Sequence, residues 1–233
     1  MKKMLVSDYD DTFYVSDFLI KFNIDAIKRF RENGNVFVLS TGRNYHSIKN
    51  KINKYKIQYD YLSCLNGLLI FDKNNKLINA NYINGDTVKQ ILFGLRAQDI
   101  SCNSMMYDEY SITMNTNSVA EMRILMNNLK RCKEYINSLQ KVFPNIQIEK
   151  NYNKMYIHNK TDKVDSVKKL QSLTGIEDEN VYTIGNGKSD IKMISEYDGA
   201  SMLFTSDSEV NMISHNKCFS VSQYVKKIEK NRI

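Results

Sequence analysis

The chain predicts an α/β protein in which a Rossmann-like parallel sheet core carries an inserted, smaller α+β domain. Three observations lead there. Short, largely apolar runs (Met4-Leu5-Val6, Val36-Phe37-Val38-Leu39, Val181–Ile184) each end in a polar turn followed by a helical pattern. That is the rhythm of strands buried on both faces and joined by right-handed crossovers. Between residues 82 and 158 the rhythm changes to helix-strand-strand, twice over. Finally, Asp8 and Asp10 stand two apart where the first run ends. Side chains at i and i+2 of a strand share a face, and open α/β sheets bind ligands at that end of their strands. The reading gives a core of residues 1–81 and 159–233 and an inserted domain of residues 82–158.

The elements follow in order. Met4–Ser7 is a buried strand. Asn23 is expected to cap a helix running to about Asn33, with Ala26, Ile27 and Phe30 on one face and Gly34 as the stop. Val36–Leu39 is the second strand, leading through Ser40-Thr41-Gly42-Arg43 into a helix over Tyr45–Tyr55. Tyr59–Cys64 is the third, and Leu68–Phe71 with Lys76–Ile78 form a hairpin across Lys73-Asn74-Asn75. In the inserted domain Thr87–Arg96 is helical, Cys102–Met106 and Ser111–Asn115 pair as strands, Val119–Val142 is mostly helical, and Ile146–Glu149 pairs with Lys154–His158. After Thr161 come a helix over Lys163–Leu173 ended near Gly175 and the strand Val181–Ile184. A turn over Gly185–Asp190, a helix through Ile191–Ser195, a strand near Ala200–Phe204 and a closing helix over Ser222–Lys230 complete the series.

The bulk composition bounds the function. At 233 residues, 42% hydrophobic and 25% charged, the chain suits one large domain, or one with an insertion. One Pro and 9 Gly leave no Pro/Gly-rich linker. No run approaches the roughly 18 apolar residues of a membrane helix, and the N-terminal apolar stretch is too short for a signal peptide. The expected location is the cytoplasm, away from any membrane. Cys64, Cys102, Cys132 and Cys218 are scattered, with no C-x-x-C pair and no His at zinc spacing. Four reduced thiols in a reducing compartment are expected. Residues 1–81 carry 13 basic and 8 acidic side chains, most of the net +7. The clearest basic cluster is Lys49, Lys51, Lys54 and Lys56. Such a cluster suits a solvated helix face with a weak attraction for anions. It lacks the dense, aromatic-interleaved stripe of a nucleic-acid surface.

Four short stretches carry the chemistry, each with a plainer reading beside it. Asp8-Tyr9-Asp10-Asp11-Thr12 is either an acidic turn or a pair of carboxylates gathered on a divalent ion, one a nucleophile toward phosphorus and the other an acid/base. Ser40-Thr41-Gly42-Arg43 is either a helix cap or a phosphoryl-binding hydroxyl at a helix start. Arg43 serves the substrate or pairs with an acid. Lys163 is either a solvated lysine or a point charge that holds Asp8 ionised and meets phosphate. Gly185–Asp190 is either a polar glycine turn or a source of oxygen ligands for Mg²⁺.

Their order, three of the four after predicted strands, resembles the haloacid dehalogenase superfamily of phosphohydrolases, and within it the Cof-like members with a C2-type cap between the second and third motifs. The resemblance spans nearly the whole chain. It implies Asp8 as nucleophile, Asp10 as acid/base, and Thr41 and Lys163 as catalytic residues that hold the phosphoryl group. Gly42, Arg43, Asn66 (in Leu65-Asn66-Gly67) and Ser189 join Thr41 and Lys163 in substrate binding. Mg²⁺ is held by Asp8, Asp10, Asn186 and Asp190. The fourth motif, Ile184-Gly185-Asn186-Gly187-Lys188-Ser189-Asp190, departs from the family's G-D-x-x-N-D: Asn186 replaces Asp and Ser189 replaces Asn. One negative charge is lost, which implies weaker Mg²⁺ binding. The implied activity is Mg²⁺-dependent hydrolysis of a small phosphorylated metabolite, sugar phosphates by default, with the inserted domain as a specificity lid. A phosphomutase and a non-catalytic phosphometabolite binder are the alternatives.

Overall fold

The computed structural model describes residues 1–97, 104–125 and 129–231, with the backbone alone at 129–133 and 151. In chain order the elements are β1 (Met4–Asp8), α1 (Leu19–Glu32), β2 (Val36–Ser40), α2 (Tyr45–Tyr55), β3 (Tyr61–Cys64), β4 (Leu69–Asp72) and β5 (Leu77–Ala80). There follow α3 (Gly85–Ala97), β6 (Ser104–Tyr107), β7 (Glu121–Leu125), α4 (Leu129–Val142), β8 (Ile146–Asn151) and β9 (Lys154–Asn159). The chain closes with α5 (Lys163–Thr174), β10 (Val181–Gly185), α6 (Ile191–Glu196), β11 (Ala200–Met202), α7 (Ser208–Ile213), β12 (Asn216–Cys218) and α8 (Val221–Glu229). They form two compact units: Met1–Arg43 with Ser47–Ile78 and Asp162–Ile233, and Asn44–His46 with Asn79–Thr161.

The first unit is built on an eight-stranded sheet of order β12-β11-β10-β1-β2-β3-β4-β5. From β12 to β3 every pairing is parallel, and β4 runs antiparallel to β3. All five residues of β1 and of β2 are buried, as strands covered on both faces require. On one face Met4, Val6, Val36, Val38 and Val181 pack with Val167 and Leu170 of α5 and Met193 of α6. α1 packs against β2 and α8, burying Ile20, Ile27 and Phe30. The expected stops hold: Gly34 follows α1 at φ 82°, and Gly175 ends α5 at φ 66°, a left-handed backbone that costs glycine little.

The second unit is an antiparallel sheet of order β6-β7-β9-β8. One face packs Met106, Met122, Ile124, Met155 and Ile157 against Val88, Ile91 and Leu95 of α3 and Tyr135 and Leu139 of α4. The register puts Tyr107, Glu121, Arg123, Tyr156 and His158 on the other face. There the Arg123 guanidinium lies 4.5 Å from the Tyr107 ring centre and 5.5 Å from that of Tyr156, and it pairs with the Glu121 carboxylate. The ends of this unit are fastened together: Asn159 Nδ2 donates to Asn81 Oδ1 at 2.8 Å and to the Tyr82 carbonyl at 2.7 Å.

Several expectations are corrected. Helix α1 begins at Leu19, so Asn23 is no cap. It is buried inside the helix, where its amide donates to the Phe13 carbonyl and accepts from the Ser222 N–H. A side chain suited to a local backbone bond is spent instead on two distant segments. Residues 121–125 form β7 and not a helix, although Glu, Met, Arg and Leu favour helices, because pairing with β6 and β9 buries Met122 and Ile124. Residues 111–115 form no full strand: Asp108 Oδ1 accepts from the Tyr110 and Ser111 N–H groups in a tight turn, and the expected pairing shrinks to one antiparallel bridge, Ile112 opposite Tyr107, with the Thr113 N–H donating to the Met106 carbonyl. The double helix-strand-strand order survives with β7 as the second strand. Helix α7 and strand β12 were missed, both being short and weakly patterned. Cys64 and Cys218 are unpaired and buried; Cys102 and the Cys132 side chain lie outside the described residues. Among the described residues no helix is long and apolar enough to cross a membrane.

Candidate active site

The carboxyl ends of β1, β2 and β10 supply the site. The register sets Asp8, the last residue of β1, beside Ser40 of β2, and Ser7 beside Ile184 of β10. The chain then turns tightly: Asp11 sits at φ 56°, and the Phe13 and Tyr14 N–H groups donate back to the Asp8 and Tyr9 carbonyls.

Lys163 opens α5, whose start is fixed by a reciprocal capping box between Asp162 and Asp165. Its Nζ donates to Asp8 Oδ1 at 2.5 Å and to Asp190 Oδ1 at 2.7 Å. All three side chains are buried, with Lys163 2%, Asp8 6% and Asp190 1% exposed. Burial disfavours the Lys163 charge, but the two carboxylates more than reverse this and raise its pKa. Asp8 goes the other way. Burial pushes its carboxyl up to about 7 despite the pull of Lys163, with Asp190 adding to the rise.

Asp190 is engaged through both oxygens. Its second oxygen accepts from the Asn186 and Gly187 N–H groups, both at 3.0 Å. Gly185 makes room for it: a Cβ there would stand 2.4 Å from Asp190 Cγ. Asn186 is held from both ends, its Oδ1 accepting from Thr12 Oγ1 at 2.9 Å and its Nδ2 donating to the Thr205 carbonyl.

Arg43 meets Asp10. Its Nε and one terminal nitrogen donate to the two Asp10 oxygens at 2.8 and 2.7 Å, a two-point fork that raises the Arg43 pKa. Thr41 is fully buried, and its Oγ1 accepts from the Arg43 N–H at 3.1 Å, leaving its own O–H as a donor. Asn66 adopts φ 54°, ψ 31°, and its N–H donates to the Thr41 carbonyl. Its side-chain oxygen lies 3.2 Å from where a Gly42 Cβ would stand. The Thr41–Arg43 and Leu65–Gly67 turns therefore interlock.

Of the residues expected from sequence, Asp8, Lys163, Asp190 and Asn186 form one connected network, and Asp10, Arg43, Thr41, Gly42 and Asn66 another beside it. Ser189 stands apart, exposed on its turn. Sequence reasoning missed Thr205, whose hydroxyl donates to the Asp11 carbonyl. It also missed Ser40, in register beside Asp8, and Ser63, in register beside Ser40, both buried with hydroxyls that have no partner among the described residues. Thr12 ties its turn to Asn186, a contact that spacing alone gives no sign of.

The donors suit a hard cation. The buried network holds two carboxylates against one ammonium, and every free donor is oxygen. Asp8 and the Asn186 amide oxygen, which keeps a lone pair, could ligate such an ion. Asp190, already engaged by Lys163 and two N–H groups, suits an outer position. Among the described residues no three His, Cys, Asp or Glu side chains converge as a ligand set. Such oxygen donors suit an ion that keeps several of its waters, as Mg²⁺ does.

Comparison with known proteins gives the same direction. Residues 5–148 and 112–218 match the family described as haloacid dehalogenase-like hydrolase. A protein of Buchnera aphidicola subsp. Baizongia pistaciae named "Putative phosphatase" is 25% identical, the match covering 98% of each chain. A haloacid dehalogenase-like hydrolase from Bacteroides thetaiotaomicron has the same fold, with TM-score 0.79 at 18% identity over 99% of this chain and 100% of that one. A subclass IIB sugar phosphatase superposes with TM-score 0.71 at 16% identity over 99% of each chain.

Proposed function

Because the chain belongs to the haloacid dehalogenase-like hydrolases, we propose that it is a Mg²⁺-dependent phosphatase acting on small phosphomonoesters, sugar phosphates foremost, through a phosphorylated Asp8. The observation that carries this reading is the buried Lys163 amine shared by Asp8 and Asp190. A nucleophilic carboxylate must be ionised yet poorly solvated, and Lys163 supplies the countercharge without water.

In the proposed reaction an Asp8 oxygen bonds to phosphorus as the bond to the leaving oxygen breaks. Asp10 gives that oxygen a proton. A water, deprotonated by Asp10, then attacks phosphorus, releasing inorganic phosphate and restoring Asp8. Lys163 and the Thr41 O–H hold the non-bridging oxygens. Asp8, the Asp10 carbonyl and Asn186, with Asp190 behind, would hold Mg²⁺, which when bound would neutralise the phosphoryl charge. The Arg43 fork fixes the direction in which Asp10 presents its carboxyl. Gly42 and Asn66 shape the turn around the phosphoryl site, and Ser189 is assigned a substrate contact from its place in the fourth motif.

We assign the choice of leaving group to residues 82–158, acting as a lid. The polar, aromatic sheet face of Tyr107, Arg123 and Tyr156 supports a hydroxyl-rich partner. We place the protein in the cytoplasm, a reading that the unpaired Cys64 and Cys218 support.

The test is phosphate release from p-nitrophenyl phosphate and a panel of sugar phosphates with Mg²⁺. Wild type is expected to turn over and Asp8→Asn to be inactive. Retained hydrolysis in purified Asp8→Asn would remove Asp8 from its role. An isomeric sugar phosphate as product, without free phosphate, would favour the mutase.

A further inference from the structure

The lysines of α2 are not used by the chemistry above. One of them, Lys49, and Lys56 just beyond the helix line a separate cleft of about 640 Å³, with Arg31, Lys73, Tyr59 and Asn75 also in its wall. The cleft lies where β3 begins and where the chain turns between β4 and β5, whereas the catalytic network lies where β1, β2 and β10 finish. A five-residue strand separates the two ends by roughly 16 Å.

No carboxylate lines this cleft. Arg31 is neutralised from outside it by Asp60, through two bonds of 2.9 Å. Lys49, Lys56 and Lys73 make no ion pair among the described residues. Lys49 is part-buried, yet its ammonium rests on neutral groups alone: Asn75 Oδ1 at 2.8 Å and the Tyr59 hydroxyl at 3.4 Å. Burial pulls its pKa down, opposed only by the buried Cys64 thiol and by no carboxylate. A part-buried cation on neutral acceptors is under-compensated, and an incoming anion relieves it.

We propose that this cleft binds a multiply charged phosphate anion of small-molecule size at Lys49, Lys56 and Lys73. Lysine is a point charge with rotatable donors, suited to tetrahedral oxyanions. The volume fits a small ligand. A nucleic-acid strand fits poorly, because the one aromatic ring in the wall, Tyr59, is buried and offers no stacking platform. Free diphosphate and the phosphate chain of a nucleotide share this chemistry.

The test is isothermal titration of the full chain with pyrophosphate and, separately, with ATP, in EDTA. Wild type is expected to bind, with Kd rising at least about tenfold in Lys49→Gln/Lys73→Gln and rising again with added KCl. The single variant Lys56→Glu, on an exposed residue, is expected to weaken binding in the same sense and guards against a folding defect in the double variant. Hydrolysis of p-nitrophenyl phosphate by the double variant is expected to stay within about twofold of wild type, its buried network being untouched. Equal Kd for pyrophosphate and ATP identifies the phosphate chain as the whole ligand; tighter ATP adds a nucleoside contact. No binding of either anion, or binding unchanged in the double variant and in Lys56→Glu, overturns the proposal. Either result leaves the phosphatase reading intact, since that stands on Asp8→Asn.

Discussion

Arg43 grips both carboxylate oxygens of Asp10 through a two-point fork of 2.8 and 2.7 Å. Of the two roles the sequence leaves open to Arg43, a substrate contact or an acid partner, the structure shows the second, and the acid is the proposed acid/base. Lysine keeps the charge but cannot hold both oxygens. For Arg43→Lys we expect kcat to fall about ten- to hundredfold with KM nearly unchanged. Steady-state kinetics decide: a raised KM at constant kcat would return Arg43 to substrate binding.

Gly185 has a steric role. Any side chain there meets Asp190, which holds Lys163. Gly185→Ala is expected to lose about 1–3 kcal/mol of stability, the cost of overpacking, together with most of its activity. Urea unfolding with an activity assay checks both. A stable, active variant would show that the Asp190–Lys163 link is dispensable.

Asn186 offers an amide oxygen where the family pattern has a carboxylate. We expect Asn186→Asp to lower the Mg²⁺ concentration that half-saturates activity, since it adds a negative charge to the proposed ligand set. A Mg²⁺ titration of both proteins checks this. Identical curves would count against Asn186 as a ligand.

Stability without metal should depend on pH in a specified direction. Asp8 is raised to about 7 by its burial, against about 3.9 for an unfolded Asp. From about pH 4 to about pH 7 the folded chain therefore holds the extra proton, and stability falls as pH rises through that window. His158 acts in the same sense. Burial pulls it down, but Glu149 and the Asn159 carbonyl raise it above its ordinary value, so its contribution is present below about pH 6.5 and lost above. In EDTA, Tm is expected to drop from about pH 5 to about pH 8, and Asp8→Asn is expected to flatten the drop. Parallel slopes for the two proteins would contradict the burial effect at Asp8.

Much of the core was legible because local pattern and tertiary demand agreed there. Met4–Val6 and Val36–Leu39 are apolar for the same reason they are central strands, and Gly175 stops α5 where its pattern ends. The catalytic turns could be located because each follows such a strand. What stayed hidden was partnership. No spacing says that Arg43 will choose Asp10, that Thr12 will reach Asn186 across the chain, or that Asn23 will serve two segments at once. Residues 121–125 misled because a helix-favouring composition lies between two strands that need a partner.

The Asn159 clip implies more than local order. Because it draws residue 159 to residues 81 and 82, the intervening polypeptide leaves and returns at nearly one point. Such a segment has the form of a cassette: excising it and rejoining its stumps by a short spacer, or exchanging it for a stretch of different length, is expected to be tolerated. Evolution can then vary this part of the molecule in size and surface while the strand ends that carry Asp8 and Lys163 keep their positions.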